Sequence, residues 1–138
     1  MDHSFGAVVY TEEFGNRLYL LVLHTDGAHW DFPKGHPIIN ETTTETIMRE
    51  VKEETGNIIE MVSNHQETIE YILTSGETKQ VHFQIAKRIN SVHNKIPNNE
   101  IRGIGWFTFA EAVKTITFDN SRNILINIDK YIQDKIVK

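Results

Sequence analysis

A chain of 138 residues, 39% hydrophobic and 24% charged, has the length of one domain and the make-up of a folded globular protein, not of a disordered tail. Its formal net charge of −5 argues against a broad basic face for long nucleic acid, but leaves room for a small anionic substrate that brings its own metal. The absence of cysteine excludes disulfides, thiolate nucleophiles and cysteine-ligated zinc.

No apolar run approaches the roughly 18 residues needed to cross a bilayer, so no membrane partner is expected. The opening MDHSFGAVVY lacks the basic-then-apolar order of a signal peptide, which predicts a cytoplasmic protein. Without repeats or a Ser/Gly linker, residues 1–138 are expected to form a single domain; oligomeric state is not legible.

In chain order, SFGAVVY and RLYLLVLH are β-rich runs joined by TEEFGN, whose Gly15-Asn16 suits a turn. TDGAHWDFPKGH reads as a Gly/Pro-punctuated loop with a short strand at Trp30 to Phe32. A helix should start at Thr42, where Thr42-x-x-Glu45 is a capping box, and stop at Gly56, suited to the left-handed position past a helix end. ETIEYIL, KQVHFQIAKRI and IRGIGWF follow as three strands, with NSVHNKIPNNE as a polar loop. Thr108-x-x-Glu111 repeats the capping box before a short helix, and Asp119 or Asn120 should cap a last one. In that last helix Ile124, Leu125, Ile128, Tyr131 and Ile132 form a buried stripe. The order predicts an α/β sandwich, a mixed sheet between helices.

The first helix carries Glu50, Glu53 and Glu54 on an arc of about 100°, next to an arc of about 100° formed by Ile47, Met48 and Val51. Like charges three and four residues apart repel, so a bare trio is unfavourable. A Glu-rich face alone is an ordinary solvated surface. Yet Glu54 lies beside Ile47 on the wheel, which places this edge where helix meets sheet, and hard divalent cations seek clustered oxygens of this kind.

The wider spacing decides between the readings. Gly35, five residues, Glu41, seven residues, then Arg49-Glu50-Val51-Lys52-Glu53-Glu54-Thr55-Gly56 resembles the Nudix box, G-x5-E-x7-R-E-U-x-E-E-x-G-U with U apolar, at all seven fixed letters. Chance placement is on the order of one in a million. Asn57 departs from the final apolar position, with Ile58 and Ile59 following. Asn40 replaces the glycine common before the first box glutamate, and Asn tolerates a left-handed backbone better than most residues.

The resemblance implies an α/β/α Nudix sandwich that uses Mg²⁺ or Mn²⁺ to hydrolyse nucleoside diphosphates linked to another moiety. It implies that Glu50, Glu53 and Glu54 bind metal, helped by the Gly35 carbonyl. Glu53 is expected to be the general base, Glu50 and Glu54 an i, i+4 chelating pair, Arg49 a brace for carboxylates and Glu41 a brace for the loop. Outside the box, HWDFPKGH, EYILTSGETKQVHFQIA and NNEIRGIGWFTFAEAVKTITF resemble the asymmetric diadenosine tetraphosphate hydrolases of that family. That branch implies that Lys34, His36 and Lys79 meet polyphosphate, Glu100 adds a carboxylate to the metals, and Tyr71 and Phe118 stack on adenine. The reaction implied is diadenosine tetraphosphate plus water to ATP plus AMP. Hydrolysis of nucleoside triphosphates or RNA 5′ ends is the enzymatic rival, and nucleotide binding without catalysis a third reading. Trp30 and Phe32 read as core, and His29 and His36 as no zinc pair, since no further ligand stands at zinc spacing.

Overall fold

The computed structural model describes residues 1–92 and 100–137. Its strands are β1 (Asp2–Glu13), β2 (Asn16–His24), β3 (His29–Asp31), β4 (Lys34–Gly35), β5 (Asn57–Ile72), β6 (Thr78–Ser91) and β7 (Ile101–Thr108). The helices are α1 (Thr43–Thr55), α2 (Phe109–Thr115) and α3 (Asp119–Tyr131), the last widening into a π-turn at Ile132–Ile136. All seven strands belong to one mixed sheet, in which β1 runs parallel to β6 and the other pairings are antiparallel.

One irregularity of this sheet creates the site. Strands β1 and β2 pair only near their hairpin, from Tyr10–Tyr19 to Glu13–Asn16. Farther on they part. There β3 takes the free edge of β2 at Val22–His24, and β4 takes that of β1 at Phe5–Gly6. The segment from Thr25 to Pro37 is thus pinned inside a split in the sheet, with its ends fixed by hydrogen bonds. Gly6 permits the fit, because a Cβ there would stand 2.3 Å from the Pro33 carbonyl oxygen.

The alternation of β1 and β6 divides the core in two. Ala7, Val9, Leu20, Ile59 and Ala86 face Ile47 and Val51 of α1. Val8, Tyr10, Leu21, Val81, Phe83 and Ile85 face Leu125, Ile128 and Ile132 of the last helix, as the stripe predicts. Each fully buried Ile, Val or Leu contributes about 1.5–3 kcal/mol of transfer free energy, so both helices are fixed by their apolar faces. The sandwich expected from the element order is the one observed. Among the described residues, no helix is long and apolar enough to cross a membrane.

The boundaries of α1 follow its sequence. Glu45 N donates to Thr42 Oγ1 (3.1 Å) and Thr42 N to Glu45 Oε1 (2.9 Å). Gly56 closes the helix at φ 74°, its amide bonding the Lys52 carbonyl at 2.9 Å. Asn40 adopts φ 71°, the left-handed conformation that its residue type tolerates. Asn57 is buried and bonds Thr55 and Ser91, while Ile59 supplies the apolar packing expected near that position.

Three details differ from the sequence reading. Strand β5 starts at Asn57 instead of Glu67, because a register shift between Met61 and Gln66 breaks the apolar alternation that marks a strand. Neither Asp119 nor Asn120 caps α3; Phe118 occupies the cap without a side-chain bond, and Asp119 instead pairs with Arg122 inside the first turn. Of the polar loop expected at 90–100, Asn90 and Ser91 belong to β6, while 93–99 lie outside the described residues.

Candidate active site

The split in the sheet opens into a cavity of about 1150 Å³. Lys34, Gly35, His36, Arg49, Glu50, Glu54, Tyr71, Lys79, Glu100 and Phe118 all line it. Of the residues expected to hold metal or substrate, only Glu53 does not. Its side chain, 53% exposed, turns along α1 toward Arg49.

Arg49 organises the box. Its Nε and Nη2 donate to the two oxygens of Glu41 at 2.6 and 3.0 Å. Nη2 also bonds the His36 carbonyl at 2.8 Å, while Nη1 reaches Glu50 at 2.8 Å and Glu53 at 3.2 Å. The fork geometry of a guanidinium satisfies this set, which a lysine ammonium would not. Glu41 returns the hold by accepting the Ile38 amide at 2.8 Å and the Thr46 hydroxyl at 2.9 Å. Its Arg49 contact, followed by the Ile38 amide, brings the Glu41 carboxyl down to about 2. Glu41 therefore braces the loop as its position implies, through one partner, Arg49, that the spacing alone did not reveal.

Glu54 is the opposite case. It is 3% exposed, and its Oε1 has no hydrogen-bond partner. Burial, followed by the charge of Glu50, pushes its carboxyl up to about 9. Glu50 is also raised, by burial first, against the opposing influence of Arg49. Two carboxyl groups in contact, one with an orphaned oxygen, form a site that a divalent cation would relieve. Gly35 fits the same purpose, since a Cβ there would lie 2.0 Å from Glu50 Cδ and fill the space in front of the carboxylate. The donor set and the space suit a hard cation, although among the described residues no three acidic or imidazole side chains yet converge on one point.

The cationic groups lie around this acidic edge. Lys34 is held in β4 by its pairing with Gly6, and its main-chain amide faces the Glu54 carboxyl. His36 Nε2 lies 2.9 Å from Asp2 Oδ1, and Lys79 Nζ 4.0 Å from Asp2 Oδ2. Asp2, which drew no notice in the sequence, thus links two of the expected phosphate ligands. Burial lowers the pKa of Lys79, with Lys34 the next cause. Glu100 is placed at the cavity by its carbonyl, which accepts the Thr25 amide at 2.8 Å. Tyr71 is partly buried against the core, whereas Phe118 is 49% exposed and tilts onto His29 at 5.1 Å between ring centroids. Phe32 is core, Trp30 packs against it, and His29 stacks on His24 at 4.8 Å.

Residues 2–127 match the NUDIX domain. The chain belongs to that family. The m7GpppN-mRNA hydrolase of Saccharomyces cerevisiae is 30% identical over 125 residues, which cover 88% of this chain and 12% of that protein. The chain therefore spans a small part of the length of the curated relatives it matches. Among solved structures, the C. elegans Ap4A hydrolase in a binary complex superposes with a TM-score of 0.85 at 23% identity, covering 96% of this chain and 98% of that one. A NUDIX hydrolase from Nitrosomonas europaea gives 0.74 at 17% identity, covering 94% and 88%. These two likenesses are of fold.

Among the cavity residues that the sequence did not single out are His24, Asp31 and Ser121. Asp31 carries the one available signal, a carboxylate inside the apolar and aromatic run Trp30–Phe32. Burial in such a run calls for a partner or a purpose.

Proposed function

We propose that residues 1–138 form one NUDIX unit that hydrolyses dinucleoside polyphosphates, converting diadenosine tetraphosphate and water to ATP and AMP in the cytoplasm. The observation that carries this reading is the buried Glu54 carboxyl, its Oε1 without a partner, beside Glu50 in a cavity that also holds Gly35, Lys34, Lys79, Tyr71 and Phe118. Glu50, Glu53 and Glu54, the Gly35 carbonyl and Glu100 would hold Mg²⁺ or Mn²⁺, which supplies charge neutralisation, orientation and a more acidic water. Lys34, His36 and Lys79 bind phosphate oxygens. Tyr71 and Phe118 offer faces to the bases, a mode that tolerates either end of a symmetric dinucleotide. Glu53 accepts the proton of the attacking water, while Arg49 fixes the carboxylates through its fork.

A second reading follows from the yeast relative, an m7GpppN-mRNA hydrolase. In that reading the same helix cleaves the 5′ end of an RNA. The net charge of −5 favours the small substrate, since an RNA beyond its first nucleotides would need basic surface. The deciding experiment is chromatography of products with Mn²⁺ present, from diadenosine tetraphosphate, nucleoside triphosphates, and triphosphate-ended and capped RNA. ATP and AMP in equal amounts from the dinucleotide support the first reading. Faster turnover of an RNA end would replace it with the second, and tight dinucleotide binding without turnover would make the protein a binding module.

A further inference from the structure

Away from the acidic helix the cavity has a second polar floor. His29 and Asp31 alternate along β3 and both line it. Asp31 is 5% exposed, and Oδ1 accepts the Phe32 amide at 2.8 Å. A carboxylate offers about four acceptor positions, so one main-chain donor leaves most of its capacity unused. Ser121, 1% exposed, stands beside it at the start of α3, and its hydroxyl makes no hydrogen bond of normal geometry. Two adjoining, deeply buried polar side chains that line an open cavity and remain under-bonded are unusual, because folding normally satisfies such groups.

The ligand that would complete them is not phosphate. A carboxylate repels phosphate, and the Lys34 charge that would hold phosphate acts on both Asp31 and Glu54. What borders Asp31 instead is aromatic: the His29 ring against Phe118, and Tyr71 close enough for Asp31 to raise its pKa after burial. Thr117 ties this wall to β3, since Trp30 N donates to Thr117 Oγ1 at 2.9 Å and Thr117 N to the Trp30 carbonyl at 3.1 Å. The site therefore combines flat apolar faces with an acceptor at the bottom, the complement of a planar ring that carries an N–H donor.

We propose that Asp31, supported by Ser121, is the specificity-determining residue for the nucleobase and selects a purine bearing a 6-amino group over a 6-oxo purine. Adenine presents its exocyclic N–H to the carboxyl, and hypoxanthine presents an oxygen there, acceptor against acceptor. This rests on the dinucleoside polyphosphate reading above and deepens it from stacking to edge recognition.

The test compares kcat/KM for diadenosine and diinosine tetraphosphate in Mn²⁺, for the wild type, Asp31→Asn and Ser121→Ala. The wild type is expected to favour the diadenosine compound about tenfold, the effect of one well-made hydrogen bond to a charged group. Asp31→Asn keeps an oxygen for the Phe32 amide but can turn an N–H toward the 6-oxo group, so the ratio should fall to unity or invert. A merely structural Asp31 would lower both rates and leave their ratio alone. Ser121→Ala should reduce the preference by a smaller factor, and it supplies the reading should Asp31→Asn melt. A wild type without preference, or an unchanged ratio in both variants, overturns the proposal. Hydrolysis of neither compound would sink the proposed function instead, and calorimetric titration with AMP and IMP then reads the same preference by binding.

Discussion

The two ends of the cavity solve the problem of buried polar groups in opposite ways. At the box end, Arg49 joins Glu41, Glu50 and Glu53 and the His36 carbonyl in one network, leaving a single orphan, Glu54 Oε1. At the β3–α3 end, Asp31 has one main-chain donor, while the Ser121 hydroxyl and His24 Nε2 have none. A fully braced cluster with one unsatisfied carboxylate suits a single recurring task, holding a cation. A loosely satisfied floor suits discrimination, because whatever binds there must supply the missing partners.

If this contrast is right, the largest loss should come from the orphan. Glu54→Gln keeps the shape and removes the charge, so turnover in Mg²⁺ or Mn²⁺ should fall by about a hundredfold or more. Its fold should survive, because a neutral amide also removes the repulsion from Glu50 that burial intensifies. Thermal melts with and without Mn²⁺ separate these effects: the apo melting temperature should be retained while the shift on adding metal shrinks. Full metal-dependent turnover would show that Glu54 is a buried structural acid and would erase the distinction between the two ends.

A smaller effect is expected from the aromatic wall. Phe118→Ala should weaken competitive inhibition by an adenine dinucleotide about tenfold, in line with roughly 1–3 kcal/mol for stacking one base, and leave inhibition by inorganic tripolyphosphate within twofold. Equal losses for both would make Phe118 a packing residue, despite its exposure and its contact with His29.

The two ends also differ in how far the sequence revealed them. The box was legible because its task fixes letters at fixed spacing along a helix, where 100° per residue turns spacing into geometry. The wheel position of Glu54 beside Ile47 announced its burial, and the capping box and Gly56 announced the ends of α1. Asp31 and Ser121 come from a strand and a helix far apart in the chain, and they line one cavity only because β1 and β2 part and admit β3 and β4. No local pattern encodes that split. The bulge in β5 was hidden for a related reason: β5 runs five residues from Met61 to Gln66 while β6 runs two from Ala86 to Gln84, and this odd excess inverts the alternation, so a period-two reading fails where the strand continues. Elements held by local rules were thus readable, and contacts set by long-range strand pairing were not.

The mildest way to sharpen the contrast is pH. His24 sits in the floor with Nε2 unpartnered, and its pKa is lowered to about 4 by burial first, then by Lys34 and His29, against the smaller opposing influences of the Phe32 main chain and Asp26. A histidine with a depressed folded-state pKa is neutral in the native protein while the unfolded chain takes up a proton near 6.5. Its contribution to stability is therefore complete above about 6.5 and is lost as pH falls toward 4. Because the ring is only partly shielded, the loss should amount to about 1–2 kcal/mol, less than the full shift implies. Urea titrations of the wild type and His24→Gln at pH 7.5, 6 and 4.5, without metal, measure it. The variant should show a shallower decline across that window, since both proteins share every other titrating group. Parallel declines would mean that water reaches His24 freely, and that the floor at this point is solvated surface and not a dry recognition site.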